Sequence, residues 1–233
     1  MSAGHLVVAY HGCDAVVRDD LVSRRISQLS HSRNEYDWLG PGAYFFEGDA
    51  ARALKFAEAS HKHPDKLYTK EPILSPAVVG VVLCIQHWLD MTTQEGLQEF
   101  AYAHAAFIGL LDREGVPHPE NLRVNDEDAD ILLRKLDNAV FTHLHEVRDT
   151  LSMQSYQAVR AAFPQGQPIA VNSGFRLDTH IQIAVRDDAC ILGWFYPDGD
   201  KPLSPSDYAT AKAELDVARG RSRKPRVRAG QKR

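Results

Sequence analysis

Asp37-Trp38-Leu39-Gly40-Pro41-Gly42-Ala43-Tyr44-Phe45-Phe46-Glu47 sets two glycines and a proline directly before an aromatic run. Glycine permits positive φ and close backbone approach, so Gly40-Pro41-Gly42 reads as a tight turn that delivers Tyr44 to a fixed place on a short strand, Ala43 to Phe46. Asp49 is a natural N-cap, and Ala50 to Ser60 reads as a helix with Ala53, Phe56 and Ala57 on one face. Upstream, His5 to Tyr10 is an apolar run of β-formers that ends at Tyr10-His11-Gly12-Cys13. These two segments are expected to line one pocket, with Trp38 as a prop for the glycine turn.

The rest of the chain supplies mixed elements. Asp20 to Leu29 reads as a short helix, Ser30 to Glu35 as loop, and His61 to Pro76 as loop broken by prolines. Val78 to Ile85 is a continuous apolar run, expected as a central strand buried on both faces. Thr93 starts a helix that reaches about Arg113 and stops at Gly115. A second helix is expected from about Asp126 to Arg148, with Asp126, Glu127, Asp128 and Asp130 as helix-start charge rather than a metal site. The pair would make an all-helical insert over about 92–149. Tyr156 to Phe163 reads as a further helix. Ile169 to Val171, Thr179 to Val185 and Ala189 to Phe195 read as strands, the last two joined as a hairpin through Arg186-Asp187-Asp188. Ser206 to Ala218 reads as a terminal helix, which gives one domain over 1–218 and a tail over 219–233.

Bulk properties narrow the class. The 233 residues are 44% hydrophobic and 25% charged, the balance of an ordinary globular chain. No apolar run is long enough for a membrane-spanning helix, which excludes a membrane partner of that kind. The start lacks a basic n-region. The three cysteines are scattered without Cys-x-x-Cys spacing, so a disulfide framework and a zinc site are not expected and a reducing cytoplasm is. The net charge of -4 conceals eight basic residues and no acid from Arg219 to Arg233. The remainder, 19 basic against 31 acidic residues, carries about -12. The tail is expected to be disordered, either solvated or in contact with nucleic-acid phosphate.

His180-Ile181-Gln182-Ile183-Ala184-Val185 places His180, Gln182 and Ala184 on one strand face and the aliphatics on the other. A polar residue between apolar ones is available for a ligand. His143 and His145 point to different faces of their helix and read as structural.

In combination, Tyr10-His11-Gly12-Cys13 and Gly40-x-Gly42-x-Tyr44-Phe45 followed by an alanine-rich helix resemble the active-site core of ADP-ribosyltransferases of the diphtheria-toxin/poly(ADP-ribose) polymerase type. Ser32-x-Asn34-x-Tyr36-Asp37-Trp38-Leu39-Gly40 and Thr179-His180-Ile181-Gln182-Ile183 are similar to a bacterial toxin-like or phage-defence subgroup with this fold. The resemblance implies an α+β fold of split antiparallel β-sheets with NAD, as co-substrate, in the cleft between them. His11 would hydrogen-bond an NAD ribose hydroxyl, Gly12 would clamp the nicotinamide carboxamide with its backbone, and Tyr44 would stack on the nicotinamide ring. Cys13 and Gly42 belong to the same binding motifs, Arg33 and Asn34 are further candidates for NAD contacts, and Arg33 and Arg160 are candidates for the phosphates, with a surface or packing role the favoured reading of each.

Pairing the late strand with the family's third motif implies Gln182 at the position where the family carries its catalytic glutamate. Glutamine accepts a hydrogen bond from the ribose 2′-OH but cannot act as a carboxylate base. That disfavours polymer elongation and favours mono-ADP-ribosylation, with Glu47, Glu35 or His180 as candidates for the missing base. The acceptor implied is a macromolecule, RNA or DNA in preference to protein, and a toxin of this kind implies an antitoxin protein as a further partner. The competing expectations are an NAD glycohydrolase and an inactive module that binds NAD or ADP-ribose.

Overall fold

The computed structural model describes residues 4–64, 69, 71–124 and 130–221. Its elements in order are β1 (His5–Asp14), α1 (Ala15–Val22), β2 (Ala43–Glu47), α2 (Ala50–Lys62), β3 (Pro76–Ile85), β4 (Trp88–Asp90), α3 (Gln94–Glu114), β5 (Asn121–Leu122), β6 (Leu133–Arg134), α4 (Lys135–Thr150), β7 (Ala158–Phe163), β8 (His180–Val185), β9 (Ile191–Phe195) and α5 (Pro205–Arg221). The fold is α+β with a mixed sheet. Seven strands follow the order β4-β7-β8-β2-β1-β3-β9, and β5 and β6 form a separate pair. β2 is antiparallel to both β1 and β8, β7 is antiparallel to β8, and β4 runs parallel to β7. The expected pair of separate antiparallel sheets is thus replaced by one seven-stranded order containing a parallel pairing.

Several elements follow directly from local chemistry. Thr93 caps α3 by accepting from the Gly96 N–H, and Gly115 closes it in the left-handed conformation at φ 66°. The apolar run from Val78 forms β3, which lies second from the sheet edge rather than at its centre.

Other expectations are corrected. The first helix is α1, not Asp20 to Leu29. Asp14 caps it by accepting from the Val16 N–H, and Arg24 at φ 59° prevents its continuation. Ala158–Phe163 is a strand, because six successive residues pair with β8 from Ala158↔Val185 to Phe163↔His180. That pairing overrides the helix propensity of its alanines.

α4 starts at Lys135, since Leu133–Arg134 pairs with Asn121–Leu122 and the Asn121 side chain accepts the N–H groups of Leu136 and Asp137. The segment between α3 and α4 is therefore not all-helical. Asp126, Glu127 and Asp128 lie outside the described residues, and Asp130 precedes the helix. Ile169 to Val171 is a turn within a loop. β8 and β9 are not hairpin partners: the Gln157 carbonyl takes the N–H groups of Arg186 and Asp187, which diverts the chain. α5 runs to Arg221, where Arg219 pairs with Glu71 at 2.8 Å, and the tail beyond it lies outside the described residues.

Contacts divide the described residues into two compact units, those within 4–10, 28–49 and 81–193 in one, and those within 11–27, 50–80 and 194–221 in the other. The first has a core of Leu39, Leu89, Phe141, Leu144, Val159, Phe163 and Ala184, in which α4 packs on the face of β7 and β8. Each large apolar side chain buried there stabilises by roughly 1.5–3 kcal/mol. The second unit buries Ala53, Ala57, Val16, Leu21 and Leu215. Its charged seam joins Arg18 to Asp19 at 2.9 Å and to Asp200 at 3.3 Å, and Tyr208 donates to Asp20.

Candidate functional site

The glycine turn is built as its sequence requires. Gly40 sits at φ 77°, and a Cβ on Gly42 would come within 2.8 Å of the Val185 carbonyl oxygen on β8. The Tyr44 hydroxyl donates to the Gly40 carbonyl at 2.6 Å and accepts from the Leu39 N–H at 2.9 Å. Burial pushes its pKa well above the usual phenol value. Its ring packs against the core of the first unit. Tyr44 therefore fastens the turn that presents it, a role that sequence alone did not reveal.

The approach to the turn is also fixed from within. Asn34 donates to Asp37 Oδ1 at 3.1 Å, and the Asp37 carboxylate accepts the Asn34 N–H at 3.0 Å. Asn138 on α4 ties both backbone carbonyls. Asn34 is occupied in this scaffold, whereas Arg33 and Glu35 are exposed. The Trp38 indole donates to the Leu132 carbonyl at 2.8 Å. Its ring lies against the Arg134 guanidinium at 4.5 Å and stacks with His180 at 6.3 Å, with Phe163 edge-on at 4.6 Å.

Strand register decides which side chains share a face. Tyr10 pairs with Phe46, Phe46 with Gln182, and Gln182 with Ala161, so these four form one row across β1, β2, β8 and β7. Tyr44, two residues from Phe46, lies on the same face as Gln182. Gln182 is half-buried, and its amide makes no side-chain hydrogen bond among the described residues. His180 is buried on this face, with Nδ1 2.6 Å from the Asp178 carbonyl.

Glu47 lies on the other face. Arg160 donates to its two oxygens at 2.6 and 3.1 Å, and a third nitrogen reaches Asp90 at 3.1 Å and Thr92 at 2.9 Å. The hydrogen bond with Glu47 is the main influence that raises the Arg160 pKa. Glu47 and Gln182 do not converge, and Arg160 is committed to two carboxylates.

His11, Gly12 and Cys13 belong to the second unit, at the end of β1. A Cβ on Gly12 would lie 2.1 Å from the Ala53 carbonyl oxygen, so the glycine is demanded by the close passage of α2. Cys13 is buried, and burial followed by the Asp14 charge pushes its thiol far above the ordinary range. It is therefore held as a neutral packing group. His11 is half-buried.

The first unit also holds a pocket of about 220 Å³ that sequence reasoning missed, lined by Trp38, Asp130, Arg134, Phe163, Gln165 and Arg176 among others. Its one sequence signal is Arg134 at the start of α4, where a cation opposes the helix dipole. No helix among the described residues is long and apolar enough to cross a membrane. No family model, no curated protein and no solved structure matches the chain.

Proposed function

We propose that the chain is an NAD-dependent mono-ADP-ribosyltransferase acting on a macromolecular acceptor, with NAD bound in an ADP-ribosyltransferase-like cleft. The observation that carries this reading is the strand pairing within the first unit. There β2 with Tyr44 and β8 with Gln182 are adjacent antiparallel strands, and Tyr44 shares a face with Gln182. The half-buried Gln182 amide, on the Tyr44 face without a side-chain partner among the described residues, supports it further.

The chemistry asks little more of this chain than orientation and one acceptor atom. The bond between ribose C1″ and the nicotinamide nitrogen breaks, and its electron pair leaves with nicotinamide. Positive charge develops on the ribose, and an oxygen held against the 2′-OH stabilises it. The Gln182 amide oxygen fits that task, but it takes up no proton. A bond from C1″ to the acceptor nucleophile completes the transfer.

Incubation of the protein with NAD labelled in the adenylate, alongside RNA, DNA and protein, tests the proposal. Label on a macromolecule with release of nicotinamide is expected. Free ADP-ribose alone would identify a glycohydrolase, and NAD binding without nicotinamide release would identify an inactive binding module.

A further inference from the structure

In the unit that holds Tyr44 and Gln182, Arg134 and Arg176 line the same open pocket of about 220 Å³. We infer that this pocket binds the phosphate of one nucleotide unit in a single-stranded nucleic acid. Under the transferase reading, on which this last step rests, such a strand is the acceptor.

Four observations converge. The pocket is smaller than the roughly 300–1,000 Å³ that encloses a whole drug-sized ligand, so it suits one unit of a longer chain. Its cations are prepared for an anion. The Arg134 guanidinium lies over Trp38 at 4.5 Å and Phe163 at 5.0 Å, and its bonds to the Ile131 carbonyl and Asp137 are long, at 3.3 and 3.4 Å. Stacking orients a guanidinium without consuming its in-plane donors. Arg176 donates one nitrogen to the Gly166 carbonyl at 2.8 Å, and its others make no hydrogen bond among the described residues.

Asp130, fixed by the Gly166 N–H at 3.0 Å, lines the pocket with the two guanidiniums, and its charge opposes theirs. Beside Arg176, the Phe175 side chain is 77% exposed, an aromatic face on which a base can stack.

The chemistry at Gln182 is compatible with such a strand. An amide that takes up no proton suits an acceptor that is nucleophilic without deprotonation, and phosphate oxygens and base ring nitrogens are such groups, as protein carboxylates are.

Fluorescence anisotropy of the full chain with a labelled single-stranded RNA of about ten nucleotides, read across about 50 to 200 mM salt, tests the inference. Arg176→Gln is expected to weaken binding about tenfold for every sequence and to lower the salt slope by about one. Asp130→Asn, which removes the opposing charge, is expected to tighten binding severalfold. Competition by mononucleotide would extend the site to free nucleotides, and its absence would confine it to strands.

An unaltered chain that does not bind RNA overturns the inference. So does an Arg176→Gln protein with unchanged affinity and slope, which would assign binding to another surface such as the basic tail. Nicotinamide release by the unaltered chain, measured separately, distinguishes the failures. A pocket that binds RNA in a protein that never consumes NAD leaves the phosphate site standing and removes the transferase reading.

Discussion

On one face of the β2–β8 pair, Glu47 is gripped through both oxygens by Arg160, which also reaches Asp90 and Thr92. On the other, Gln182 stands in register with Phe46 and has no side-chain partner among the described residues. The two faces share strands and differ in what their polar groups are for. The first is saturated by charge-assisted bonds and holds the strands together. The second keeps one hydrogen-bonding group unspent where solvent reaches it. His145 on α4 sharpens the contrast, since neither ring nitrogen has a hydrogen-bond partner among the described residues but the side chain is buried at 4% exposure. An unspent polar group serves a ligand only where a ligand can arrive.

That contrast breaks most readily at Gln182. Gln182→Ala is expected to lower nicotinamide release by about 10²-fold, the scale of losing one group that stabilises transition-state charge. Its urea midpoint should stay at the unaltered value, and a large midpoint shift would make Gln182 structural. Arg160→Met should do the reverse. It strands two partly buried carboxylates, so unfolding titrations should show a loss of about 2–3 kcal/mol. A protein of unchanged stability would contradict the saturated face.

Tyr44→Phe removes the hydroxyl that joins Gly40 and Leu39 and leaves a part-buried N–H unpaired, for an expected loss of about 1–2 kcal/mol by the same titration. The ring that the transferase reading needs remains, so NAD affinity should change less than stability.

The smallest effect concerns pH. Burial, with the Arg186 charge next and Arg148 adding to it against Asp149, lowers the His145 pKa from the usual 6.5 to about 3. The folded state keeps this ring neutral, while the unfolded chain protonates it below about 6.5. Its contribution is therefore complete above that pH and is lost as pH falls from 6.5 towards 3. Urea midpoints at pH 5 and pH 8 should differ less in His145→Leu than in the unaltered protein. An equal pH dependence in both would remove this assignment.

The legible parts of the sequence were those whose chemistry is local. Gly40-Pro41-Gly42 carries its own backbone requirements, and the alternation in His180 to Val185 gave the correct faces. The Thr93 cap and Gly115 likewise delimited α3 in the chain itself. Misread elements depend on distant partners. Ala158–Phe163 is a strand because β8 pairs with it, and α4 starts late because Asn121 supplies its cap. Arg160 meets Glu47 across 113 residues of sequence, and no spacing rule announces such a pair. Arg134 and Arg176 come from an α4 start and a loop, so their shared pocket exists only after folding. Gly12 shows the opposite hazard, since the passage of α2 at Ala53 explains a motif glycine without any ligand.

The most direct test of the central claim is mass spectrometry of nucleic acid and protein incubated with NAD and either the unaltered chain or Gln182→Ala. An ADP-ribose mass increment on a macromolecule, produced by the unaltered chain and nearly abolished in the variant, is the predicted result. NAD that is neither bound nor consumed, or an increment that Gln182→Ala leaves undiminished, would contradict the account.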